Sequence, residues 1–137
     1  MKDKTTVDQH AYILVVEDNV DLSRMLAQLL ERASYQVVLA ADGQTALTQA
    51  KQHHPDLILM DLSLPDIDGW EAVTLLRKMP EFRDTPIMAV TAHVSAADQA
   101  RALAVGCTVH VGKPFKTRSL LQTIEQLLKN GANGHAS

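Results

Sequence analysis

The sequence predicts an α/β fold, a doubly wound parallel sheet of five strands alternating with five helices. Three observations carry that expectation. Short apolar runs rich in β-branched residues recur along the chain, and longer segments with helical spacing separate them. The third run, Leu57-Ile58-Leu59-Met60, is apolar at every position, as expected of a strand covered by helices on both faces. Finally, 137 residues with a hydrophobic fraction of 46% suffice for one domain with a real core.

Taken in order, Tyr12 to Val16 reads as the first strand, too short for a helix. Asn19 is placed to cap the next segment, with Asp21 in its first turn. Leu22, Met25, Leu26 and Leu29 then form one apolar helical stripe. Gln36 to Ala40 is the second strand. After Asp42-Gly43, Ala46, Leu47 and Ala50 mark a weakly apolar helix ending before Pro55. The third strand is Leu57 to Met60, and Trp70, Val73, Leu76 and Met79 give the third helix. Ile87 to Val90 is the fourth strand, entered through Pro86 and ending at Thr91. Ser95 with Asp98 three positions on opens the fourth helix, which Gly106 stops. Val109 to Val111 is the fifth strand. Thr117 caps a last helix carrying Leu120, Leu121, Ile124, Leu127 and Leu128. The expected domain is 11–130, with 1–10 and 131–137 as flexible tails.

Composition narrows the function classes. The net charge is −3 and the basic residues are dispersed, which argues against a nucleic-acid-binding face. A single cysteine, Cys107, rules out an intramolecular disulfide and suits a reducing compartment. No apolar stretch approaches the ~20 residues of a membrane span, and the first ten residues lack the apolar core of a signal peptide. The expectation is a cytoplasmic protein without membrane contact.

In open parallel sheets ligands bind beyond the carboxyl ends of the strands. Those ends carry Glu17 and Asp18 on the first strand, Asp61 on the third, Thr91 on the fourth and Lys113 after the fifth. The second strand ends at Ala40-Ala41, which suits an edge. Carboxylates ~4 Å apart repel by roughly 4 kcal/mol at an effective dielectric of 20. A hard divalent cation resolves the conflict, and Mg²⁺ suits one or two carboxylates, a carbonyl, waters and a phosphoryl oxygen. A carboxylate oxygen of Asp61 is a candidate nucleophile toward phosphorus, with Lys113 and the Thr91 hydroxyl placed to stabilise the transferring group.

These residues resemble a family. Glu17-Asp18, Asp61 with the following Pro65-Asp66-Ile67-Asp68-Gly69, Thr91-Ala92 and Lys113-Pro114-Phe115 look like the motifs of a response-regulator receiver domain of two-component signalling. The resemblance implies a flavodoxin-like sheet of strand order 2-1-3-4-5. It implies that Asp61 is the phosphoacceptor, that Asp18, Asp61 and the backbone carbonyl of Ser63 bind Mg²⁺, and that Glu17 acts through water. Mn²⁺ would substitute. Lys113 would pair with Asp61 or its phosphate, and the Lys113-Pro114 bond would be cis. Thr91 would move toward the phosphoryl group, and the signal would leave through the fourth helix, fifth strand and fifth helix. The partners implied are a histidine kinase or histidine phosphotransfer protein and an unnamed downstream protein, with a monomeric or weakly dimeric chain. Such a chain is a switch, an enzyme only toward its own phosphorylation and dephosphorylation. A stand-alone regulator is the leading expectation, and a receiver cut from a hybrid kinase or longer regulator is the alternative.

His110 departs from the family, which carries Tyr or Phe three residues before the lysine. It is either a switch residue or a partly exposed strand histidine. Ser63 and His93, two positions past Asp61 and Thr91, fall where the family tunes phosphate lifetime. Aspartate-nucleophile phosphatases carry a second Asp where this chain has Ser63, and the acidic first loop is wrong for a flavin phosphate. His53-His54 reads as a solvated helix end, Cys107 as a structural thiol, and Trp70 as a core or loop anchor.

Overall fold

The structure, a computed structural model, describes residues 11–62, 69–92 and 95–136. Strands β1 (Tyr12–Val16), β2 (Gln36–Ala40), β3 (Leu57–Asp61), β4 (Ile87–Thr91) and β5 (Val109–Gly112) form one parallel sheet in the order β2-β1-β3-β4-β5. Between and after them run α1 (Val20–Arg32), α2 (Gly43–His53), α3 (Gly69–Arg77), α4 (Ala96–Val105) and α5 (Thr117–Ala136). The expected order and the edge position of β2 are both present.

Alternation along the inner strands sends side chains to two cores. Leu14, Val16, Ile58, Met60, Ile87 and Ala89 pack with residues of α2, α3 and α4. Ile13, Val15, Leu57, Leu59, Met88 and Val90 pack with α1 and α5. Because helices cover both faces, β3 and β4 are buried at every position, which is why their sequences do not alternate in polarity.

The helix ends follow local chemistry. Asn19 caps α1 by accepting from the Leu22 N–H, Asp42 caps α2 through Thr45, and Ser95 caps α4 through Asp98. Gly106 ends α4 at φ 117°, a conformation that costs glycine little.

Several expectations need correction. Leu22, Leu26 and Leu29 face the core as expected, but Met25 is 40% exposed and Leu30, outside the expected stripe, is fully buried. Met79 lies beyond α3 and precedes a short 3₁₀ turn, Pro80–Phe82, because the proline at the first position favours a new turn. Thr117 is the first residue of α5 and not its cap, since the Lys116 carbonyl accepts from Leu120 N–H. The backbone of α5 runs helical to Ala136. Extending a formed helix is far easier than nucleating one, so the glycines there do not end it.

Candidate functional site

Beyond the last residue of β1, the backbone N–H of Glu17 still donates to the Ala40 carbonyl at 3.0 Å. That bond carries the ladder one position further and fixes Glu17, which is only 4% exposed. Asn19 N–H donates to Glu17 Oε2 at 3.1 Å, so the residue that caps α1 also orients the acid before it. Asp18 lies between them and is exposed.

Asp61 ends β3 and is 4% exposed. The chain returns beneath it at Gly69, whose N–H donates to the Leu62 carbonyl at 3.1 Å. A Cβ at Gly69 would lie 2.4 Å from the Asp61 carbonyl oxygen and 2.4 Å from Leu62 Cα, both backbone atoms. Only glycine lets α3 begin so close to the strand end. On the next strand Asp61 pairs with Val90, so the fully buried Thr91 sits one position further along β4. The Thr91 carbonyl accepts from Lys113 N–H at 2.8 Å, tying the end of β4 to the residue after β5.

Lys113 joins the acids. Its Nζ donates to Glu17 Oε1 at 3.0 Å and lies 3.6 Å from Asp61 Oδ2. The expected partner was Asp61, yet Glu17 is the nearer carboxylate. The Lys113-Pro114 peptide is cis, as expected. Carboxylate oxygens of Glu17, Asp18 and Asp61 all lie within 4.8 Å of one another. Among the described residues, three acids against one ammonium leave a deficit of positive charge.

Glu17 and Lys113 both titrate upward. Burial raises the Glu17 pKa and outweighs the lowering by the Lys113 and Asn19 hydrogen bonds, with the charge of Asp61 adding to the rise. Burial alone would lower the Lys113 pKa, but its bond to Glu17 and the charges of Asp61 and Glu17 reverse the sign. Lys113 is thus held as a cation, while burial makes the charge of Glu17 costly.

The donor set suits a hard cation, because every ligand atom is a carboxylate oxygen. Both Glu17 oxygens already accept hydrogen bonds, one from Lys113 and one from Asn19. The three acids together could hold such a cation. Ser63, the 65–68 segment and His93 lie outside the described residues, so their expected contributions have no structural counterpart here.

His110 pairs with Ala89 in the sheet and alternates with Val109 and Val111, which belong to the α1/α5 core. It is half-buried and faces the side covered by α2, α3 and α4. Cys107 is buried, and burial pushes its thiol up to about 11, which makes it inert at neutral pH. His53 and His54 are exposed at the end of α2. Sequence reasoning missed the role of Asn19 toward Glu17; the signal was an asparagine two residues on, read only as a cap.

Comparison with known proteins agrees with this geometry. The family model described as response regulator receiver domain matches residues 13–125. The polar-differentiation response regulator DivK of Brucella ovis is 35% identical over 116 residues, covering 85% of this chain and 94% of that protein. The chemotaxis response regulator CheY4 of Vibrio cholerae superposes with a TM-score of 0.82 at 33% identity, over 86% of this chain and 98% of that one. The receiver domain of a signal transduction histidine kinase from Syntrophus aciditrophicus superposes with a TM-score of 0.81 at 29% identity, over 88% of this chain and 91% of that one.

Proposed function

The chain belongs to the response regulator receiver domain family of two-component signalling, and on that premise we propose that Asp61 is its phosphoacceptor. The observation carrying this reading is a buried carboxylate at a strand end, 3.6 Å from the Lys113 ammonium and grouped with two further acids. A carboxylate oxygen of Asp61 attacks phosphorus on the phosphohistidine of a kinase or phosphotransfer protein. The new O–P bond forms as the N–P bond breaks, and the imidazole leaves with the electron pair. Lys113 compensates the negative charge that arrives, and the Thr91 hydroxyl donates to a phosphoryl oxygen. Asp18 and Asp61 would hold Mg²⁺ or Mn²⁺, with the Ser63 carbonyl as a further ligand and Glu17 assisting through water. The ion, when bound, supplies positive charge to the phosphoryl oxygens.

The chain acts in the cytoplasm as a switch that signals by protein–protein contact, with turnover confined to its own phosphate. Among the described residues no helix is long and apolar enough to cross a membrane. A stand-alone regulator is supported by the match to 94% of the Brucella regulator. The likeness to the Syntrophus kinase receiver favours the second reading, a receiver within a hybrid kinase. An immunoblot of the source cells distinguishes them by the size of the native protein.

The central test is incubation with acetyl phosphate and Mg²⁺ followed by intact-mass measurement. One phosphoryl group is expected on the wild-type chain and none on Asp61→Asn. Labelling that survives the substitution overturns the assignment. Substituting Ser63 or His93 is expected to change the half-life of the aspartyl phosphate more than its stoichiometry, read from the decay of the same mass peak. Equal decay in both variants removes the tuning role.

A further inference from the structure

Helix α4 is the helix least held by the core. It buries one side chain, Ala102, whereas α1 buries Ser23, Leu26 and Leu30, and α3 buries Gly69, Ala72, Val73 and Leu76. Leu103 of α4 is 57% exposed. Apolar packing alone therefore fixes its position weakly. A different contact supplies what packing does not. The Arg101 guanidinium of α4 lies 4.2 Å from the centre of the Trp70 ring at the start of α3. Trp70 itself packs against the core.

The two helices start from the two strand ends that carry the site. α3 starts at Gly69, which is in contact with the Asp61 and Leu62 backbone and leaves no room for even a methyl group. Trp70 is thereby fixed to the Asp61 end of β3. α4 begins only a few residues after Thr91, and its cap at Ser95 is exposed. Only four residues of chain separate Thr91 from α4, whereas the start of α3 is held at Gly69 against the Asp61 and Leu62 backbone. The Arg101–Trp70 contact spans the two and must register the difference.

We propose that the Arg101–Trp70 contact is a latch that holds α4 in the position seen here and opens when Asp61 is phosphorylated. The opening rests on the reading of Asp61 above; the holding does not. At a solvent-exposed site such a contact biases a two-state equilibrium by about 2- to 5-fold, enough to be overcome by a phosphoryl group that draws Thr91 toward it.

The full chain supplies its own reporter, because Trp70 is the single tryptophan. Hydrogen exchange of unphosphorylated protein is compared in wild type, Arg101→Ala and Arg101→Lys. Alanine is the best helix former, so any loosening of α4 reflects the lost contact and not lost propensity. The expected result is exchange about 2- to 5-fold faster at α4 amides in Arg101→Ala, unchanged in β1 and β3, and largely restored in Arg101→Lys. Trp70 emission is then followed on phosphorylation with acetyl phosphate, with intact mass measured on the same samples. A change in emission is expected in wild type and none in Arg101→Ala at equal phosphorylation. Unchanged α4 exchange in Arg101→Ala overturns the latch, and an equal emission change in both proteins overturns its opening. A wild-type chain that takes no phosphoryl group overturns the reading of Asp61 and the opening with it, and the exchange comparison still decides whether the contact holds α4.

Discussion

At the end of the sheet where the strands finish, Lys113 points a single ammonium at the carboxylates of Glu17 and Asp61; at the end where they begin, Arg77 spreads its guanidinium over neutral oxygens. Arg77 Nε donates to the Gly106 carbonyl at 2.9 Å, and its Nη1 donates to the carbonyls of Phe82 at 2.6 Å and Thr85 at 2.7 Å. It thereby joins the end of α3, the 3₁₀ turn, the entry to β4 and the turn before β5. The two cations titrate in opposite directions. Burial lowers the Arg77 pKa, with Cys107 and Asp84 opposing, while the acids around Lys113 raise its own. Arg77 has its hydrogen bonds and needs no further charge. The Lys113 end has an excess of acid and calls for another cation. One end is finished as structure, and the other is left open for chemistry.

The sharpest way to break this contrast is to remove Arg77. In Arg77→Ala the carbonyls of Phe82, Thr85 and Gly106 lose a common donor, and stability is expected to fall by about 3 kcal/mol. Arg77→Lys should recover less than half of that, because an ammonium cannot reproduce the planar fork. Urea unfolding measures both. A loss below about 1 kcal/mol in Arg77→Ala would show that water replaces the guanidinium and that the node is not structural.

The opposite sign is expected at the other end. Asp61→Asn removes one of three mutually close carboxylates and leaves Lys113 with Glu17, its nearer partner. Stability at neutral pH and low salt should rise by on the order of 1 kcal/mol, as the repulsion lost exceeds a longer ion pair. Salt should shrink the gain, since it screens the repulsion. A variant less stable than wild type would mean that the Lys113–Asp61 attraction dominates and that the site is not short of positive charge.

The open end was the more legible of the two in the sequence. Asp61 after a fully apolar run, and Glu17-Asp18 after another, are charges placed where burial makes them costly, so the residues announce a use. The edge position of β2 followed from where its strand ends, and the strand order from the family resemblance that these residues carry. Arg77 announced nothing, because its partners are backbone oxygens, and a sequence does not display carbonyls brought together by a turn. Trp70 and Arg101 were missed as a pair for a related reason: they lie on different helices, and nothing in local spacing links them. The inner face of α1 was read too narrowly, because Leu29 and Leu30 are equally apolar and both pack on the same core.

The smallest effect concerns acid titration, and it tests whether Glu17 bears the cost of the open end. Its pKa is raised above an ordinary 4.5, chiefly by burial. The folded chain therefore holds a proton there that the unfolded chain releases, so this group's contribution grows as pH falls through its folded pKa and is complete below 4.5. As pH rises through that window the contribution is lost. Other carboxylates titrate in the same range, so the difference between wild type and Glu17→Gln isolates it. Glu17→Gln should be the more stable at pH 7, and its advantage should narrow as pH falls toward 4.5. At the alkaline end the Lys113 pKa is raised, so its contribution is present below the ordinary 10.5 and lost as pH rises through the folded value. That alkaline loss should be smaller in Glu17→Gln, which lacks the partner that does most to raise it. Urea midpoints taken across both windows decide the matter. An advantage that widens toward acid would show that Lys113, and not burial, governs Glu17, and the two ends of the sheet would then be more alike than their partners suggest.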